Sequence, residues 1–255
     1  MAKAVKKPKK PIKSAKTKKQ AKPKRSIFWW IGAAPVLAVR WIWRLLIAAF
    51  LFVLLAVVLY SFVNPPTTAF IISEGWRLDQ TRREWRDFES ISPNMSHAIV
   101  AAEDANFCNH WGFDMAAIRD ALEDGGGRGA STLSQQTVKN TYLWHGRNWT
   151  RKALEAAITP IVEAVWTKRR ILEVYMNVAE FDEGVFGVGA AAPWYFGVDA
   201  KDLTMRQASL LAAILPNPKG RSAKRPSQFV NKRARSIAAG AATIRVDGRN
   251  ECFDG

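Results

Sequence analysis

Residues Leu45 to Val63 run for nineteen positions without a charged side chain. At a rise of about 1.5 Å per residue, a helix of that length spans roughly 28 Å, close to the hydrocarbon thickness of a bilayer. Asn64-Pro65-Pro66 follows and cannot continue a helix, because proline lacks the amide donor. Trp41 and Trp43 stand where an interfacial aromatic belt would lie. A buried core helix is seldom apolar all round for this length. A cleaved signal peptide is normally shorter and ends in small residues, which Tyr60-Ser-Phe-Val-Asn-Pro-Pro does not offer. The stretch reads as an uncleaved anchor, with residues 26–63 forming an interface segment and a transmembrane helix.

Charge fixes the expected orientation. Fourteen basic residues lie between Met1 and Arg44, the first acidic residue is Glu74, and the whole chain has a formal net charge of +16. The basic balance thus belongs to the tail and not to the remainder, which weakens any nucleic-acid reading. Residues 1–25 hold almost nothing large and apolar, so they are expected to be a disordered basic tail. The positive-inside rule puts that tail in the cytoplasm and residues 64–255 outside, which in a bacterium means the periplasmic face. Lysines near anionic lipid contribute about 1 kcal/mol each, a sufficient use for the tail without RNA or DNA. Two cysteines rule out a disulfide-dense scaffold and a four-cysteine zinc site. His97, His110 and His145 lack the spacing of a zinc protease.

The exported part reads as all-α. Helices are expected at Ser96–Asp104, at Met115–Asp124 behind an Asp114 cap, and at Thr132–Tyr142 behind a Ser131 cap. Helical periodicity then runs from Trp149 to Met176 with a kink at Pro160, and returns over Leu203–Leu215 and Pro226–Ala242. Glycines 184, 187 and 189 suggest close backbone packing. The expected division is a domain at 64–220 with a C-terminal helix and tail, 221–255, packed on it.

Four constellations carry chemistry. Glu103-Asp104 is followed within eleven residues by Phe107, His110 and Asp114. A carboxylate on an apolar helix face is desolvated, which raises its pKa and suits a general base. Asp104 and Asp114 capping helices and His110 closing a turn is the plainer account of those three, and pattern alone leaves Glu103 undecided. In Gly129–Asn140, Thr132, Gln136, Lys139 and Asn140 share one helix face beyond a glycine approach, the outline of an anion site and equally of a capped surface helix. Arg151-Lys152-x-x-Glu155 reads first as an intrahelical ion pair, and also as two cations beside a second carboxylate. Lys168-Arg-Arg-Ile-Leu-Glu173-x-Tyr175-Met-Asn177 leads into the glycines.

In order and spacing these stretches resemble the motifs of the peptidoglycan glycosyltransferases of family 51. Glu-Asp-x-x-Phe-x-x-His-x-Gly-x-Asp is matched by Glu103–Asp114, and Gly-Gly-Ser-Thr-Ile-Thr-Gln-Gln-x-x-Lys-Asn by Gly129–Asn140. Arg-Lys-x-x-Glu is matched by Arg151–Glu155, and Lys-x-x-Ile-Leu-Glu-x-Tyr-Leu-Asn by Lys168–Asn177. The likeness covers residues 70–220. Ala130, Ser134, Met176 and Gln207 depart from the pattern, and no group with a proposed catalytic role is lost. With no transpeptidase domain after it, the chain resembles the monofunctional form.

The resemblance implies a lysozyme-like helical fold that lengthens glycan strands from lipid II. Glu103 would be the base that deprotonates the acceptor 4-hydroxyl during inverting attack on the donor C1, and Glu155 would act at the donor side. Lys139, Arg151 and Lys152 would hold the diphosphate. Asp104, Phe107, His110, Ser131, Thr132, Gln135, Gln136 and Asn140 would complete the substrate site. No cofactor is required and no metal ligand cluster is visible, although a divalent cation could screen the diphosphate. Lipid II, nascent glycan and the bilayer are the expected partners, cell-wall synthesis or division proteins could join them, and no nucleic acid is expected. Tyr142-Leu-Trp144 and Trp149 could dip into the interface or form an ordinary aromatic cluster. An oxidising compartment permits a bridge between Cys108 and Cys252, which would tie the tail near the first motif; two free thiols are the alternative.

The rivals are a peptidoglycan-cleaving enzyme, which also needs a catalytic glutamate but has no use for a diphosphate cluster, and a wall-assembly scaffold without activity.

Overall fold

The computed structural model describes residues 27–125, 129–146 and 148–254. The basic tail expected over 1–25 lies outside the described residues. Two compact units meet at Leu51 and Phe52. A single helix, α1 (Ile27–Tyr60), begins in the first and ends in the second. Its stretch Val36–Tyr60 is long and apolar enough to cross a membrane, and almost none of it is buried by protein.

In the second unit, α1 ends on an anchorage of side chains. Val57 is fully buried, and its carbonyl accepts from Trp166 Nε1 at 2.7 Å. Arg170 donates to the carbonyls of Tyr60 (3.1 Å) and Val63 (3.0 Å) and to Asn64 Oδ1 (2.9 Å). The Tyr60 carbonyl is one that the helix end leaves without an intrahelical partner, and a cation suits that end of the dipole. Arg83 donates to the carbonyls of Pro65 and Pro66, beyond the helix.

The other α-helices among the described residues are α2 (Ala69–Leu78), α3 (Pro93–Glu103), α4 (Met115–Glu123), α5 (Leu133–Tyr142), α6 (Trp149–Val165), α7 (Lys168–Val178), α8 (Val188–Phe196), α9 (Met205–Ile214), α10 (Gln228–Val246) and α11 (Glu251–Asp254). Helices α3, α9 and α10 pack on one another, and α5 packs on both α6 and α7. Met95, Ile99, Leu133, Ile171, Leu172 and Leu211 belong to the single large core beneath them.

Local chemistry accounts for the boundaries. Asp114 caps α4 by accepting from the amides of Ala116 and Ala117, as its position suggests. Thr132, not Ser131, caps α5, in a capping box with Gln135. The periodic run from Trp149 is two helices and not one: α6 continues through Pro160 to Val165, and the Thr167 hydroxyl accepts from Arg170 N and starts α7 afresh. Thr204 and Gln207 form a second capping box, a role in which glutamine serves as well as glutamate.

One feature departs from the all-helical expectation. A three-stranded sheet joins β1 (Arg82–Arg83), β2 (Glu180–Asp182) and β3 (Val185–Phe186) in the order β1-β3-β2. Strands of two or three residues carry no readable alternation. Gly189 then abuts the Glu84 backbone so closely that a Cβ there would lie 2.3 Å from its carbonyl oxygen.

Candidate active site

A cavity of about 400 Å³ opens between α5, α6 and the segment after α9. Gln136, Lys139 and Asn140 line it from α5, and Arg151 lines it from α6. Glu103 ends α3 just behind Gln136, whose Nε2 donates to Glu103 Oε2 at 2.9 Å. Only 11% of the Glu103 side chain is exposed, and its Oε1 has no hydrogen-bond partner. Burial pushes this carboxyl above the ordinary glutamate range, against the pull of Gln136, Arg233 and Lys139. A carboxylate held this way has a spare oxygen and a raised affinity for a proton.

The cations are arranged around the other glutamate. Glu155 is 2% exposed and accepts from Arg151 Nη1 at 2.9 Å and from Lys152 Nζ. Lys152 also donates to Ser131 Oγ at 2.9 Å. Glu155 therefore fixes two positive side chains in place, the ion pair that the spacing on α6 suggested. Lys139 is buried enough that its ammonium pKa falls below the ordinary lysine value, with Glu155 and Glu103 opposing that fall.

Other expected site residues form the frame behind the cavity. Asp104 accepts from His110 Nε2 at 3.0 Å and from the Leu133 amide at 2.9 Å, which ties the first motif to the start of α5. Thr132 donates to the Gly112 carbonyl at 2.6 Å, and Gln135 accepts from the Thr132 amide. Phe107 is fully buried beneath Lys168 Nζ, 4.5 Å from the ring centre. None of these five side chains lines the cavity. Among the described residues, no group of three or more His, Cys, Asp or Glu is arranged to hold a metal ion.

The far wall is absent from the sequence reading. Phe70, His145, Glu180, Asn217 and Lys219 line it from four separate segments. His145 stacks on Phe70 with centroids 4.5 Å apart, and Lys219 Nζ reaches Glu74 at 2.9 Å and Glu180 at 3.6 Å. Burial raises the Glu180 carboxyl pKa and lowers that of the His145 imidazole. Glu163 was also missed: it accepts from Ser134 Oγ and, at 2.8 Å, from Lys168 Nζ, joining α5, α6 and α7. A buried glutamate outside the four motifs gives no local signal.

Cys108 and Cys252 are joined in a disulfide, so α11 is bonded to the turn after Glu103.

The transglycosylase family model matches residues 71–242. The chain belongs to the transglycosylase family. Similar proteins named biosynthetic peptidoglycan transglycosylase include one from Jannaschia sp. (strain CCS1), 59% identical over 84% of this chain and 90% of that protein. Another, from Stutzerimonas stutzeri, is 52% identical over 71% of this chain and 78% of its own length. A third, from Caulobacter vibrioides, is 44% identical over 82% and 95%. The helical second unit is accordingly a transglycosylase domain of the lysozyme-like class, and the four motifs lie within the matched span.

Proposed function

We propose that this transglycosylase polymerises peptidoglycan, transferring the growing lipid-linked glycan to the 4-hydroxyl of the lipid II GlcNAc and releasing undecaprenyl diphosphate. The observation that carries the reading is the pairing of a buried, partly unpartnered Glu103 with a cavity lined by Lys139 and Arg151.

Glu103 takes the acceptor hydroxyl proton as that oxygen attacks the donor C1 from the face opposite the diphosphate. The C1–O4 bond forms, the C1–O(phosphate) bond breaks, and configuration inverts. Negative charge gathers on the departing diphosphate, where Lys139, Arg151 and Lys152 stabilise it without a strong general acid. Glu155 holds Arg151 and Lys152 at the donor side, while Gln136 and Asn140 line the sugar subsites. A cleaving enzyme would also use a raised glutamate, but it has no leaving diphosphate to explain the cations.

The α1 helix is proposed to anchor the chain in the bacterial inner membrane, basic tail in the cytoplasm and active site in the periplasm, next to a substrate whose lipid stays in the bilayer. Detergent-solubilised protein given labelled lipid II should yield ladders of lengthening glycan, and Glu103→Gln should yield none. Shortening of preformed glycan instead would establish the cleaving enzyme, and ladders from the mutant would remove Glu103 as the base.

A further inference from the structure

Helix α10 lies outside every motif and packs along α3, the helix that Glu103 ends. From α10, Arg233 extends Nη2 to 3.9 Å from Glu103 Oε1, the carboxylate oxygen that has no hydrogen-bond partner. The same Nη2 lies 3.4 Å from the Ala102 carbonyl in the last turn of α3, and Arg233 Nε is buried with no partner of its own. The guanidinium is thus held over the α3 terminus with donor capacity to spare, facing the one oxygen that lacks a donor.

We propose that Arg233 is a positioning residue for the base, keeping Glu103 ionised and its free oxygen oriented for the acceptor hydroxyl. The inference rests on Glu103 being that base. Four other groups face the carboxylate: Gln136 and Lys139 from α5, the Tyr175 hydroxyl side of α7, and Asp104 on the adjoining residue. Gln136 is neutral, and Tyr175 stays protonated because full burial holds its pKa high. Asp104 opposes ionisation of Glu103. Lys139 lines the cavity, where a bound diphosphate would draw its charge away. Arg233 is then the cation left to Glu103 when the donor is in place.

The test uses the whole chain in detergent, with kcat on saturating labelled lipid II measured against pH, so that the profile reports the enzyme with donor bound. An arginine within about 4 Å lowers a carboxylate pKa, so its removal should move the acid limb of the profile up by about one pH unit. Arg233→Gln should show that shift and recover toward wild-type rates at high pH. Arg233→Met keeps the aliphatic stem that packs on α3, and serves should the glutamine variant not fold. Arg233→Lys, which restores the charge, should return the limb close to its wild-type position. An unmoved limb with rates reduced by one factor at every pH would make Arg233 merely structural and overturn the inference. If Glu103→Gln is inactive while the limb stays unmoved, this inference alone fails. If Glu103→Gln turns over like wild type, the base assignment fails and takes this inference with it.

Discussion

Gln136 stands between Glu103 and Tyr175, donating to the carboxylate at 2.9 Å and accepting from the phenol hydroxyl at 3.3 Å. Because an amide oxygen accepts and its nitrogen donates, the Tyr175 bond fixes which end of Gln136 points at Glu103. A side chain on the cavity wall is thereby oriented from the core, and it orients the proposed base in turn.

Burial raises the Glu103 pKa, so the folded state holds that proton more tightly than the unfolded chain does. Its contribution to stability is complete below the unfolded value of about 4.3 and is lost as pH rises through the folded value. Glu103→Gln, neutral throughout, should therefore melt higher than wild type at pH 8, and the advantage should vanish near pH 4. Thermal unfolding at both pH values in one detergent measures this; an equal difference at the two would mean that Glu103 carries no such burial penalty.

Lys139 is a buried cation whose pKa is lowered by desolvation. Lys139→Met should leave the fold at least as stable at pH 7 while cutting turnover about a hundredfold or more, since charge developing on the leaving group loses a donor. Turnover and melting temperature on the same preparation separate these effects.

Gly112 adopts φ +85°, and a Cβ there would lie 2.8 Å from Thr159 Cγ2 and 3.1 Å from Glu163 Cγ. Gly112→Ala should destabilise the protein by about 2–3 kcal/mol, since backbone strain and a clash add. Denaturant unfolding gives the number, and a change under about 0.5 kcal/mol would show that the turn relaxes freely.

The Cys108–Cys252 bond closes a loop with a sequence separation of 144. Cys252→Ser should lose about 2–4 kcal/mol of stability. A dithiol reductant should bring wild type down to the level of the variant and leave the variant unchanged.

The sequence discloses what depends on neighbours along the chain. Arg151 and Glu155 meet because they are one helical turn apart, and Asp114 caps α4 because it immediately precedes it. Thr132 displaced Ser131 as the cap because adjacent hydroxyls look alike until Lys152, from another helix, engages Ser131. The break after Val165 was hidden because Trp166 is placed by Val57, 109 residues earlier. The Phe70, His145, Glu180 and Lys219 wall had no signal at all, since its members share no helix face or spacing. Arg233 is equally silent: only the packing of α10 on α3 brings it to Glu103.

Three consecutive cations open α7, and each reaches a different part of the second unit. Lys168 holds the His110 carbonyl of the first motif, Arg169 the Phe253 carbonyl of the tail, and Arg170 the Tyr60 and Val63 carbonyls at the end of α1. Successive side chains on a helix diverge by about 100°, so these attachments share a single register. Inserting one residue just after Arg170 would rotate all three reaches together against the buried face of Ile171, Leu172 and Tyr175, parting the turn of the first motif, the disulfide-bonded tail and the end of α1 in one step. Length variation in this transglycosylase therefore belongs in its loops, and the start of α7 must keep its residue count.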